Sequence, residues 1–388
     1  MTTRPYPQNG GLMIKKIIIS PDSFKGTMSS IEVCNIIEIA IKNINPEIKV
    51  HKIPAADGGE GTVDAFLTAV GGERIYCTVK DPLNRDIESF YGILPNGTAV
   101  IEMAAASGLT LIEGKENPLA ATTYGTGQLI LNALDKGCKS IIIGIGGSAT
   151  VDGGIGAVSA LGTRFLNREG NEVSLNGSGL CNIEYIDLSG LDTRIKNCDI
   201  TVACDVTNPL YGTDGAAYVF GPQKGADEAM VKQLDEGLSH YADIIKRQFG
   251  IDVQKVTGAG AAGGLGAALN VFLGAEIKPG IGTLIDAVGF DNVLKDADLV
   301  ITGEGRIDGQ SLKGKVPVGI AERAAKYGVP VVAVVGDIGD GMEEVYKQGI
   351  TAVFSINRKA VPFEIARKTC RHDLQATVEN IIRFAKIF

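Results

Sequence analysis

Residues 140–157, SIIIGIGGSATVDGGIGA, constrain the chain more than any other stretch. An apolar run, Ile141-Ile142-Ile143, leads into clustered glycines and then into small residues able to form a helix. Glycine has no Cβ, so backbone N–H groups in such a turn can point at an anion, and a helix start adds partial positive charge. The pattern predicts a buried strand, a turn and a helix arranged to hold phosphate. Residues 144–149 also read G-x-G-x-x-A, and residues 258–263 read G-x-G-x-x-G. A dinucleotide fold needs an acidic residue ~20 positions further on, at a strand end. The acids available are Glu169, in the hairpin-like Asn167-Arg168-Glu169-Gly170, and Glu276, in a Pro/Gly-rich loop, so neither fingerprint has its context. Residues 309–315 satisfy G-x-x-x-x-G-K, but Val316 follows where a P-loop needs a Ser or Thr for Mg²⁺.

At 388 residues the chain exceeds what one hydrophobic core usually fills, which predicts two domains. A formal charge of −8 argues against nucleic acid and acidic membranes as partners, and no apolar run approaches the ~20 residues of a membrane span. Seven cysteines without C-x-x-C spacing, beside only three histidines, read as reduced thiols of a cytoplasmic protein and not as a zinc site. Residues 1–12 are polar and turn-rich, without an apolar signal region. They read as a leader or an added tag, with Met13 as the natural start.

The chain order has a rhythm. A strand at 16–20 is followed by a loop, then by a helix to about 43 that Ser29 and Glu32 open as a capping box. A strand at 49–53, the loop 56–62 and a helix to about 69 repeat the unit. From residue 73 short strands pair through turns: 74–80, 88–94 and, after Pro95-Asn96-Gly97, 99–103. Further strands are expected at 200–205, 297–302, 329–336 and 351–355, a long helix over Glu228–Phe249, and a loop at 303–310. The fold class is therefore α/β. Residues 14–75 plus 286–388 are expected to form one flavodoxin-like domain whose parallel sheet is built from both chain ends, and 76–285 an inserted mixed-sheet domain.

Asp22, Asp57, Asp152, Asp205, Glu304 and Asp308 all fall in or beside glycine-rich segments after apolar strands. Carboxylates at converging strand ends suit Mg²⁺–phosphate chemistry, where one or two hold the ion and another accepts a hydroxyl proton. Lys25, Lys224, Arg306 and Lys315 are cations placed to neutralise a phosphoryl group or a substrate carboxylate. His51 and His240 sit in apolar periodic segments, and neither Ser107 nor Ser148 lies in a G-x-S-x-G elbow, so hydrolase chemistry has no support.

Eight segments in order carry a resemblance: residues 21–26 (PDSFKG), 56–62 (ADGGEGT), 122–127 (TTYGTG), 144–154, 204–210 (CDVTNPL), 220–226, 258–264 and 302–315. Together they resemble the bacterial glycerate kinase family, from about Met13 to the C-terminus. The resemblance implies transfer of a phosphoryl group from ATP, with Mg²⁺, to a hydroxyl of D-glycerate in a cleft between two α/β domains, without a P-loop, and it leans towards 2-phosphoglycerate over 3-phosphoglycerate. On that footing Gly146, Gly147 and Ser148 would offer N–H groups to phosphate, and Asp205 and Glu304 would hold Mg²⁺. Asp57 would be the base, Lys25 and Arg306 would hold the glycerate carboxylate, and Lys224 or Lys315 would offset phosphoryl charge. A homodimer is compatible with this reading. An NAD(P)-linked oxidoreductase acting on a small hydroxy acid and a non-catalytic carboxylate sensor stay open as alternatives.

Overall fold

The computed structural model describes residues 14–56, 58–309 and 315–386. The leader 1–12, Met13, the base candidate Asp57 and residues 310–314 of the G-x-x-x-x-G-K segment lie outside the described residues. In chain order the strands are β1 Lys16–Ile19, β2 Lys49–Lys52, β3 Glu73–Lys80, β4 Asp86–Ile93, β5 Thr98–Glu102, β6 Ser140–Gly144, β7 Arg164–Leu166, β8 Tyr185–Asp187, β9 Asp199–Ala203, β10 Glu276–Lys278, β11 Leu299–Ile307, β12 Val331–Ile338 and β13 Ala352–Ser355. The chain divides into two compact units. One takes the residues up to 57, Asp64–Val70 and everything from Ile281; the other takes Gly58–Val63 and Gly71–Gly280.

The first unit is built on a five-stranded sheet in the order β13-β12-β11-β1-β2, with every pairing parallel. Read from β2, its own strands run second, first, third, fourth, fifth, the flavodoxin-like doubly wound order. Ile17, Ile18 and Ile19 of β1 are wholly buried, as a central parallel strand covered on both faces requires. Ile17 and Ile19 pack against the helices Ser30–Ile44 and Phe363–Ala385 through Val33, Cys34, Ile37 and Leu374. At about 1.5–3 kcal/mol per buried isoleucine, this strand alone is a strong nucleus for the layer. The helix Ser30–Ile44 starts where expected, with the Ser29 hydroxyl accepting the Glu32 N–H at 3.2 Å. The return half of the capping box is replaced: the Glu32 carboxylate accepts from Arg371 at 2.6 Å.

One expected loop is a strand. Residues 303–307 continue β11, with Gly303 opposite Val334, Glu304 opposite Val335 and Arg306 opposite Asp337. The ladder to β12 outweighs the low strand propensity of Gly-Glu-Gly, and Gly303 is required there because a Cβ would lie 2.1 Å from the Val334 carbonyl oxygen.

The second unit carries a mixed six-stranded sheet, β10-β9-β6-β5-β4-β3, in which β5, β6, β9 and β10 are parallel and β3, β4 and β5 form an antiparallel meander. A separate antiparallel pair joins β7 to β8. The helix Glu228–Phe249 forms over the residues expected, begun by the Asp227 carboxylate on the Met230 N–H at 2.8 Å and ended by Gly250 at φ 72°. It buries Val231, Leu234, Leu238, Tyr241 and Ile245 at helical spacing. Among the described residues no helix is long and apolar enough to cross a membrane.

Candidate functional site

In a parallel sheet, ligands gather outside the carboxyl ends of the strands, where the strand order reverses. In the first unit that switch point lies between β1 and β11. Beyond the last β1–β11 pair the chain still follows β11: Ser20 N–H donates to the Ile301 carbonyl at 2.9 Å and Asp22 N–H to the Gly303 carbonyl at 2.8 Å. The Thr302 hydroxyl donates back to the Ser20 carbonyl at 2.8 Å. Residues 20–25 are thereby held against the end of β11. Gly305 lies against this loop, in contact range of the Phe24 Cα and the Lys25 backbone nitrogen.

This arrangement gathers several expected site residues. The Glu304 side chain is buried and lies 3.7 Å from the Lys315 ammonium, which is itself half exposed just before the helix Val316–Ala325. Arg306, two residues on and so on the same face of β11 as Glu304, is exposed near the strand's end; it is 3.4 Å from Asp308 and 3.7 Å from Asp337. Lys25 is exposed on the facing loop. The carboxylate of Asp22 accepts the Ser23 N–H at 2.6 Å. This cluster therefore holds a buried acid, exposed cations and flanking acids at one sheet edge.

In the second unit the equivalent edge is the end of β5, β6 and β9. Gly58 and Gly59 lie directly on it: a Cβ on Gly144 would be 2.4 Å from the Gly58 oxygen, and one on Gly146 would be 2.8 Å from the Gly59 Cα. Glu102, at the end of β5, is only 4% exposed, and its carboxylate accepts the Val63 N–H at 2.6 Å as the helix Thr62–Val70 begins. Burial raises its pKa, against the lowering effect of hydrogen bonds from Val63 and Gly61. Sequence reasoning passed over Glu102, whose one signal is an acid ending an apolar strand.

The glycine turn itself differs from the phosphate cradle expected of it. Gly146 N–H donates to the Gly58 carbonyl at 3.0 Å, so it is engaged inside the protein. The helix after the turn, Ile155–Ala160, is short and buried, and its start already has an anion. Asp152 is fully buried, and its carboxylate accepts Thr123 N–H at 2.8 Å, the Thr123 hydroxyl at 2.7 Å, Gly154 N–H at 3.0 Å and Gly156 N–H at 3.3 Å. Burial raises the Asp152 pKa and those four donors pull it back. The seat that the sequence suggested for phosphate at this helix start is thus occupied by the chain's own carboxylate.

What the turn does present is its tip. Gly147 is exposed at φ 74° and Ser148 is half-buried. Among the described residues no hydrogen bond uses either N–H group. Lys224, read from the sequence as a loop cation, is 2% exposed, and its ammonium donates to the Ser148 hydroxyl oxygen and to the Thr150 carbonyl, both at 2.7 Å. Asp205 stays exposed beyond β9, its carboxylate accepting the Gly280 N–H at 2.7 Å.

The structure thus brings Glu304, Lys315, Arg306 and Lys25 to one sheet edge of the first unit, and Gly146, Gly147, Ser148, Lys224 and Asp205 to the strand ends of the second. A glycerate kinase family profile matches residues 17–386. The glycerate 2-kinase of Escherichia coli (strain K12) is 52% identical over 343 residues, covering 88% of this chain and 90% of that protein. The glycerate kinase of Bacillus subtilis (strain 168) is 48% identical over 374 residues, covering 96% of this chain and 98% of that protein. A crystal structure from Salmonella typhimurium LT2, designated glycerate kinase 2, superposes with a TM-score of 0.86 at 46% identity, covering 96% of this chain and 99% of its own. A match spanning the strands of both units and both clusters means that the chain belongs to the glycerate kinase family.

Proposed function

We propose that this chain transfers the γ-phosphoryl group of ATP to the C2 hydroxyl of D-glycerate, giving 2-phosphoglycerate and ADP. The observation that carries the reading is a switch point holding a buried carboxylate, Glu304, 3.7 Å from the Lys315 ammonium, with Arg306 two residues further along the same strand, in a chain of this family. The hydroxyl oxygen bonds to the γ-phosphorus as the bond from phosphorus to the ADP oxygen breaks, and the hydroxyl proton passes to the Asp57 carboxylate. Lys25 and Arg306 hold the glycerate carboxylate, Arg306 through its two-pronged guanidinium. Gly147 and Ser148 offer N–H groups to phosphate oxygens, and Lys315 offsets the charge of the transferring group.

Hard carboxylate oxygens fit Mg²⁺, which takes one or two of them and leaves its other positions to phosphate and water. Among the described residues Glu304 is buried beside Lys315 and Asp205 is exposed beyond β9, each with one carboxylate. Asp205 or Glu304 would supply the oxygens, and the ion would neutralise phosphate charge.

The test is an ATP-coupled assay with D-glycerate, its product identified by NMR. The expected result is ADP formation with phosphorus on C2; phosphorus on C3 overturns the regiochemistry, and absence of ADP overturns the kinase reading. Asp57→Asn should lower kcat by ~100-fold or more, the scale of a lost general base. Near-normal turnover in that variant would remove Asp57 from the chemistry.

A further inference from the structure

The proposed reaction uses the tip of the glycine turn, and one buried cation stands directly behind it. An ammonium group has donors only, so the oxygen of Ser148 must act as its acceptor. A serine hydroxyl has one proton of its own. Among the described residues that proton meets no acceptor, and the adjoining Gly147 and Ser148 N–H groups are likewise unused. Behind the turn the backbone is tightly determined. Ala262, Gly263 and Gly264 are three consecutive left-handed residues at φ 53°, 67° and 97°. Gly263 accepts the Gly153 N–H at 2.9 Å, and a Cβ on Gly263 would lie 2.0 Å from the Thr150 oxygen. The turn is therefore set from behind by Lys224, Asp152 and Gly263, while its front carries unused donors.

We propose that Lys224 is a positioning residue: its ammonium holds the Ser148 oxygen as an acceptor, so that the Ser148 hydroxyl proton is presented to a ligand oxyanion. That oxyanion is either a phosphate of ATP or the carboxylate of glycerate, which rests on the function proposed above. Lys224 is thus assigned a different part from the direct phosphoryl contact expected of it. The arrangement has a protonation switch. Burial brings the Lys224 pKa down to about 7, opposed by the carboxylate of Asp152. The groups around the ammonium are Ser148 and Thr150 from the turn and the charge of Asp152; Tyr241, from the helix Glu228–Phe249, is kept a neutral phenol by its burial and then by the same carboxylate. Once Lys224 loses its proton, the neutral amine can accept from Ser148, and the hydroxyl proton turns inward.

The experiment combines ATP binding by calorimetry with steady-state kinetics, on the full chain, for Ser148→Ala, Lys224→Met, Lys224→Arg and the double variant Ser148→Ala/Lys224→Met. A charge-assisted hydrogen bond to a ligand oxyanion predicts about a tenfold rise in Kd or KM for Ser148→Ala. Lys224→Met should match it, and the double variant should be no worse than either alone. The substrate whose KM rises, ATP or D-glycerate, identifies the oxyanion. Wild-type affinity should weaken above pH 7 relative to Ser148→Ala, a comparison in which the ligand's own titration cancels. Lys224→Arg, which stays charged, should lose that pH dependence. Multiplying losses in the double variant, unchanged affinity in Ser148→Ala, or identical pH profiles for wild type and Ser148→Ala would each overturn the proposal. If Lys224→Met does not fold, the Ser148→Ala profile against wild type still decides. ATP binding that follows this pattern without turnover of D-glycerate would sink the proposed function and leave the positioning role standing.

Discussion

The end of β11 and the glycine turn after β6 look alike as sequence: a buried apolar strand, then glycines mixed with an acid; each end also acquires a lysine, Lys315 from the same stretch and Lys224 from 76 residues beyond Ser148. They are put to opposite uses. After β6 the acid and the lysine turn inward, Asp152 fully buried on four donors and Lys224 spent on Ser148 and Thr150. At β11 the strand itself runs on through the glycines, and the charges stay at its edge, with Lys315 and Arg306 3.4–3.7 Å from their acidic neighbours. Inward charges held by several hydrogen bonds make a scaffold. The exposed Arg306 can exchange Asp308 and Asp337 for a ligand at little cost, since exposed pairs contribute only about 0–1 kcal/mol, and Lys315 reaches Glu304, the one buried acid of this edge. Substitutions at the two ends should accordingly fail in different ways.

The largest expected effect is on the inward acid. Asp152→Ala leaves Thr123, Gly154 and Gly156 donors buried without an acceptor, at about 1–3 kcal/mol each before relaxation. A loss of roughly 3–5 kcal/mol is expected, read as a lowered urea midpoint. A midpoint unchanged from wild type would show that Asp152 is not the scaffold described here.

Glu304→Gln is the matching test at the end of β11. It keeps the volume and removes the charge, so a fall of about 100-fold in kcat is expected with stability within ~1 kcal/mol of wild type. If stability collapses while the surviving folded enzyme turns over normally, the two regions are not different in kind.

The scaffold was far less legible in the sequence than the fold. The isoleucine runs of β1 and β6, the Ser29 cap and the Asp227-to-Gly250 helix are local signals, and each appears where the chain announces it. The continuation of β11 is not local: it depends on β12, whose Val334 and Val335 supply the ladder about 30 residues later. The inward roles are more remote still. Asp152 meets Thr123, 29 residues away; Glu102 meets Val63, 39 residues away; Lys224 meets Ser148, 76 residues away. No spacing rule distinguishes a lysine that will be buried on such a partner from one that will face a ligand. Gly146 taught the same lesson, since its N–H is claimed by a carbonyl from Gly58, far back in the chain.

The smallest expected effect is a slope with pH, and it too separates the two ends. Lys224 has a folded pKa of about 7, below its unfolded value of 10.5. Between those values the unfolded chain binds the proton that the folded chain has released, so stability rises with pH at up to about 1 kcal/mol per unit near pH 7.5. The contribution is fully present above 10.5 and is lost as pH falls through 7. His51, whose pKa burial lowers from 6.5, has the same sign but acts below that window. The half-buried thiols Cys198 and Cys204, pushed up by desolvation to about 11 from 9, have the opposite sign and turn the curve over above pH 9. Urea titrations between pH 7 and 8.5 should therefore show a positive slope in wild type and in Glu304→Gln, and a flat one in Lys224→Met. A slope that survives in Lys224→Met would mean that the proton is released elsewhere, and the contrast between a charged scaffold in one unit and a ligand-facing edge in the other would lose its electrostatic basis.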